Sequence, residues 1–273
     1  MTSHLSNPWN NAVALLTMHF EQQILSTGSC FFWLHDGKTL LVTNWHNLAG
    51  RNPLTNQPMS STLAIPDRVV FMVYRSVSEP DSQGFYELEY IPLEVTLNDA
   101  ETLRSRWYEH PIFGRRVDVA VIEVTDVVQG CNIEHVNILE SNAMPNVSAS
   151  HDVFVIGFPF GQIANAPAPI WKRGSIALDP TFNPEGLPKI LIDTATREGM
   201  SGSVAVARQQ VLGSTYEKKD GSLSEPVIFA KHDVVLGVYS GRHYPDLEKA
   251  QLGIVWKRNV IEEIVAAAKR ADA

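Results

Sequence analysis

Residues 199–203, Gly199-Met200-Ser201-Gly202-Ser203, set a serine in a glycine-flanked tight turn. The apolar run Ile190-Leu191-Ile192 leads in and Val204-Ala205-Val206 leads out. Glycine at 199 and 202 admits backbone angles that a Cβ would block, and lets a carbonyl group approach the main chain. A hydroxyl lifted on such a turn, beside converging N–H groups, suits an acyl-transfer nucleophile and its oxyanion hole. A serine hydroxyl is a poor nucleophile at neutral pH, so a base must accompany it. His46 ends the apolar run Leu40-Leu41-Val42-Thr43, and Asp118 opens the run Val119-Ala120-Val121-Ile122. Taken singly, each has an ordinary structural reading: Gly-x-Ser-Gly occurs in plain turns, most histidines are structural, and an aspartate at a strand mouth is commonly a turn former. What raises them together is the order His, Asp, Ser, each beside a hydrophobic strand.

The chain resembles the trypsin-like (chymotrypsin-fold) serine peptidases, of the stand-alone bacterial kind. Thr43-Asn44-Trp45-His46 is similar to the segment around their general base, Val117-Asp118-Val119-Ala120-Val121 to that around the orienting aspartate, and Gly199–Ser203 to the nucleophile loop. Gly28-Ser29-Cys30, Val155-Ile156-Gly157-Phe158-Pro159 and Leu236-Gly237-Val238-Tyr239-Ser240-Gly241 extend the likeness over nearly the whole chain. The resemblance implies an all-β fold of two six-stranded antiparallel β-barrels with a C-terminal α-helix. It divides one peptidase domain into an N-terminal barrel (1–145), a C-terminal barrel (146–258) and a helix (259–273).

The same resemblance implies a serine endopeptidase working through an acyl-enzyme. His46 is the base, Asp118 its orienting acid and Ser201 the nucleophile, with the N–H groups of Gly199 and Ser201 as oxyanion hole. Ser240 and Gly241 pair with substrate main chain, and Ala195 and Thr196 form floor and wall of the primary pocket; Arg242, where family members often have a small residue, either narrows that pocket, attracts an acidic side chain or is a solvated loop arginine. An uncharged floor disfavours cationic side chains, because a buried cation without a counter-ion is costly. Met200 departs from zymogen-type relatives, which carry there an aspartate that pairs with a newly cut N-terminus. A thioether cannot make that pair, so activity without N-terminal cleavage, or gating by other means such as a regulatory protein partner or an oligomeric state, is expected. A catalytically silent binding module and an esterase with the same apparatus remain as alternatives.

Composition is that of an ordinary globular chain: 273 residues, 44% hydrophobic and 19% charged. A polypeptide of this length buries enough surface to need no disulfide staples. The two cysteines, Cys30 and Cys131, are expected reduced and buried, with a bridge between them left open. A formal charge of −8 argues against nucleic acid or an anionic membrane as main partner; a polypeptide substrate is what the resemblance implies. No export signal or membrane-length apolar run is evident, and a cytoplasmic address is the expectation. The histidines lack zinc-site spacing and no phosphate or dinucleotide loop is present, so no metal and no cofactor are expected. Alternating apolar runs predict strands near 13–24, 30–34, 39–43, 69–75, 86–94, 119–124, 153–157, 171–177, 189–194, 203–207, 227–230, 234–239 and 252–256. Residues 51–67 read as a Pro-rich loop, which either rims a cleft or is a plain connection. Val260, Ile261, Ile264 and Val265 recur at helical spacing after Asn259, a candidate N-cap.

Overall fold

Short apolar runs bounded by turn residues fold here as an antiparallel β protein. The computed structural model describes residues 7–79, 82, 86–141, 147–161, 168–195, 198–211, 222, 230–241, 252–268 and 270–271. The first half contributes β1 (Val13–Phe20), β2 (Gln23–His35), β3 (Lys38–Thr43), β4 (Arg68–Ser76), β5 (Leu88–Thr96), β6 (Trp107–Glu109) and β7 (Ala120–Glu123). They form a seven-stranded sheet in the order β5-β4-β1-β2-β3-β7-β6. Its two edges meet at the Asn98–Ser105 bridge, where Arg106 N–H donates to Leu97 O at 2.9 Å. The second half, β8 (Asp152–Gly157), β9 (Ile170–Ile176), β10 (Lys189–Asp193), β11 (Val204–Val211), β12 (Ala230–Gly241) and β13 (Leu252–Lys257), closes as a six-stranded barrel.

Period-two alternation explains the packing. Along β1 to β3, Ala14, Leu16, Met18, Cys30, Phe32 and Leu41 fill the interior of the first sheet, while Val13, Leu15, Phe31, Leu40 and Val42 point the other way. In the barrel, Val155, Ala205, Leu236 and Val255 point inward, and Ile156, Val204, Val206, Val238 and Ile254 point outward. The outward residues of both halves form one shared cluster. Strands at this junction are buried on both faces, which is why Leu40-Leu41-Val42 and Val204-Ala205-Val206 read as unbroken apolar runs.

Several expectations need adjustment. The first half has seven strands, one more than expected, because β6 is only three residues long and carries no readable period. The run 13–24 is two strands, since the chain turns at Glu21 (φ 51°) before β2 begins at Gln23. Of the strand expected at 227–230, residues 227–229 lie outside the described residues, as do 142–146 around the boundary at 145. Both cysteines are free; Cys30 is buried, with its thiol pushed up by desolvation, but Cys131 is only half-buried. Among the described residues, no helix is long and apolar enough to cross a membrane, and no group of His, Cys, Asp or Glu is placed to hold a metal ion.

The C-terminal helix (Asn259–Ala267) begins at Asn259, which is therefore its first residue and not its cap; the Asn259 amide donates to Glu263 at 2.7 Å. Its Val260, Ile261 and Ile264 are fully buried in the shared cluster, against β6 and β7 on one side and β12 and β13 on the other. The helix is thus a third component of the junction. His110 secures it: Nδ1 accepts the N–H groups of Ile112 and Phe113 at 3.2 Å, so the proton is on Nε2, which donates to Glu263 at 2.8 Å. Ile264→Ala should remove about 2–5 kcal/mol of stability. The check is a lower denaturation midpoint followed by fluorescence from both halves; loss of signal from one half alone would refute a shared core.

Candidate active site

The site is built where β3 leaves the first sheet. After Thr43 the chain runs extended through Asn44 (ψ 148°) and turns into the short helix Trp45–Ala49, closed by Gly50 in the left-handed region (φ 62°). A Cβ on Gly50 would lie 2.3 Å from Pro66 Cδ, so glycine there satisfies both the turn and the contact. Trp45 anchors the helix by donating its indole N–H to Glu109 at 3.0 Å and packing edge-on against Trp107. These contacts present His46 with 7% of its surface exposed.

Asp118, 1% exposed, lies between the turn Gly114–Arg116 and β7. Its Oδ2 accepts the His46 Nδ1–H at 2.7 Å and its Oδ1 accepts the His46 backbone N–H at 2.9 Å. Ser240 Oγ donates to Oδ2 as well. Asn44 Nδ2 donates to the Asp118 carbonyl at 2.7 Å, tying the carboxylate's backbone to the His46 segment. A carboxylate on Nδ1 fixes the tautomer and puts the lone pair of the ring on Nε2. Ser240 reaches the carboxylate because it is a bulge: Tyr239 pairs with Val255 and Gly241 with Ile254, leaving Ser240 unmatched and its side chain re-aimed.

Ser201 sits on the turn between β10 and β11, with Gly199 (φ 84°) and Gly202 (φ 86°) in the left-handed region. Every carbonyl from 198 to 201 has a donor. Glu198 O accepts from Phe160 N–H at 2.7 Å and Gly199 O from Ser29 Oγ at 2.8 Å. Met200 O accepts from Ser203 N–H at 3.0 Å, and Ser201 O from Ser29 N–H at 2.8 Å and from Asn47 Nδ2 at 3.3 Å. In a trans peptide the N–H points opposite the carbonyl, so these bonds also set the direction of the Gly199 and Ser201 N–H groups. Among the described residues, neither N–H donates to a backbone carbonyl.

Two first-half side chains thus hold the turn. Ser29 Oγ accepts from Phe158 N–H at 2.9 Å while donating to Gly199 O. Asn47 Nδ2 bridges Ser201 O and Thr43 Oγ1, and the Thr43 hydroxyl donates to Ser29 O at 2.8 Å. A Cβ on Gly202 would lie 2.1 Å from Ser29 O, which is why glycine is required at that point.

The other expected site residues divide. Gly241 is buried at the end of β12, next to Ser240. Ala195 is exposed after β10, and Lys172 Nζ donates to its carbonyl. Thr196 and Arg242 lie outside the described residues. Met200 is buried in the barrel interior with Val153, Val155 and Ile192. The support given by Ser29, Asn47 and the Ser240 hydroxyl was not read from the sequence, which assigned Ser240 a main-chain role only. Their only sequence signal is adjacency, Ser29 beside Gly28 and Asn47 beside His46.

Residues 28–213 match the family model described as trypsin-like peptidase domain, more than half of the 273-residue chain. The chain belongs to the trypsin-like peptidase family. It is a peptide hydrolase acting on polypeptides, with the predominantly β architecture expected. No curated protein matches it in sequence. Among solved structures, the active form of the Rv3671c protease from M. tuberculosis aligns at 16% identity and TM-score 0.49, over 96% of this chain and 83% of that one. The serine endoprotease from Yersinia pestis aligns at 13% identity and TM-score 0.47, over 94% of this chain and 62% of that one.

In the peptidase, Ser29→Ala would strip a buried donor–acceptor pair from Phe158 N–H and Gly199 O. The expected loss is about 1–3 kcal/mol, readable by chemical denaturation. An unchanged midpoint would mean that the turn is held without Ser29.

Proposed function

We propose that the chain is a serine endopeptidase in which His46, Asp118 and Ser201 form the catalytic triad. In this reading residues 1–145 and 146–258 are the two halves of one domain, closed by the helix 259–273. His46 Nε2 takes the Ser201 hydroxyl proton as Oγ attacks the scissile carbonyl, and returns it to the leaving amine. Asp118 holds the imidazole and stabilises its cation, with Ser240 sharing the carboxylate. The tetrahedral oxyanion is taken up by the N–H groups of Gly199 and Ser201; one such donor contributes on the order of 3 kcal/mol to the transition state. Water then hydrolyses the acyl-enzyme by the same relay.

The observation that carries this reading is the pairing of His46–Asp118 with a nucleophile turn whose carbonyls from 198 to 201 are all engaged. Such a turn has its N–H groups aimed before any substrate arrives, so no N-terminal ion pair is needed and Met200 can be apolar. A fluorophosphonate probe should label the full-length, untrimmed chain, and Ser201→Ala should abolish labelling and reduce kcat by about six orders of magnitude. Labelling that appears only after N-terminal trimming would contradict the preformed turn, and none under any condition would leave a binding module.

For the acyl side of the scissile bond, the uncharged Ala195 and the Lys172 ammonium that reaches its carbonyl both disfavour a cationic substrate residue. Small or medium apolar residues are the proposed first choice and acidic ones the second. A peptide library should show cleavage after Lys or Arg at least about tenfold slower than after Ala or Leu; the reverse order would overturn the assignment.

A further inference from the structure

We propose that the enzyme selects an apolar residue of about leucine size immediately after the scissile bond, in a pocket made by its own 51–66 loop. The proposal rests on the peptidase reading and adds to it the identity of the departing chain's first residue. A cavity of about 120 Å³ opens beside His46, with Asn47 on the same helix, Leu25 from β2, and Met59, Ala64 and Pro66 from the loop among its walls. His46 apart, no ionisable side chain lines it. Its volume is several times the ~10–15 Å³ that a single water needs, which leaves room for a small or medium side chain.

The position assigns the pocket to the departing side. His46 delivers its proton to the leaving nitrogen, so the released chain must begin beside the imidazole. The other portion of the substrate is expected to run along β12 at Ser240 and Gly241. Among the described residues, the walls include none from β12 and none from the 198–203 turn; all belong to the first half. The pocket therefore faces the His46 side opposite to the barrel.

The loop is built firmly enough to discriminate. Arg51 bridges to Pro58, Met59 N–H donates to Gly50 O at 2.9 Å and Asn52 N–H to Gln57 O at 2.9 Å. Arg115 reaches across from the segment preceding Asp118 to donate to Leu54 O at 3.0 Å. Met59 keeps 53% of its surface exposed although its backbone is pinned, a wall ready to be covered by an apolar side chain. A charged residue entering would lose hydration against only neutral partners, the Asn47 amide and the Ser26 and Ser60 hydroxyls, with no carboxylate or ammonium to balance it.

Acyl transfer isolates this pocket. An acyl-enzyme made from an activated ester is partitioned between water and amino acid amides. In the productive step the amine forms a C–N bond as the ester C–Oγ bond breaks, and the amine's proton passes through His46 to Ser201 Oγ. Wild type should capture leucinamide at least about tenfold more often than glycinamide or lysinamide. Ala64→Trp, which fills the cavity, should bring the leucinamide-to-glycinamide ratio close to one. Ala64→Asp should raise lysinamide above leucinamide. Equal capture by wild type, or an ordering unmoved in both variants, overturns the proposal alone. Failure of wild type to form any acyl-enzyme overturns the peptidase reading and this proposal with it.

Discussion

A carboxylate withdrawn from water must be matched by donors of its own, and Asp118 is withdrawn almost completely. Desolvation of an isolated charge would cost several kcal/mol, and removal of one partner from such a site leaves that cost uncompensated. The donors come from separate parts of the chain: the His46 backbone and ring from the helix after β3, and the Ser240 hydroxyl from the bulge in β12. Satisfying Asp118 therefore requires the two halves to meet in one relative position. The apolar cluster at the junction supplies the bulk of the adhesion, but apolar contact is non-directional. The carboxylate supplies direction.

The glycine turn around Ser201 follows the same accounting for backbone groups. A buried carbonyl without a donor is expensive, and the turn 198–201 finds its donors in Phe160, Ser29, Ser203 and Asn47. Because each peptide is planar, holding the oxygen also aims the N–H. The turn is held by neutral hydrogen bonds, from Ser29 and Asn47 of the first half and from Phe160 and Ser203 of the second. Met200 is then free to serve the barrel interior as an apolar residue.

The helix 259–267 and the loop 51–66 show how peripheral elements share in this arrangement. The helix buries Val260, Ile261 and Ile264 against both halves and is tied by Glu263 to the buried ring of His110. The loop is tied by Arg115 to the segment preceding Asp118 and by Gly50 to the end of the His46 helix. Both are anchored to residues within reach of the site, so neither is merely a connection.

Local chemistry along the chain was enough to find the apolar strands, the glycine turn around Ser201, the strand-end positions of His46 and Asp118, and the helical face of Val260, Ile261 and Ile264. These are short-range properties: side-chain period, the backbone freedom of glycine, and the need of a hydroxyl for a base. The three-residue β6 and the break at Glu21 escaped because so few residues carry no period. Only tertiary structure decided that Ser29 and Asn47 hold the turn around Ser201, that Ser240 gives its hydroxyl to Asp118, and that seven strands make the first sheet. Each of those depends on which distant backbone group a small polar side chain meets, and serine or asparagine has the same local signature wherever it points. The meeting is set by burial and by the satisfaction of polar groups across the junction, quantities that do not exist until both halves have folded together.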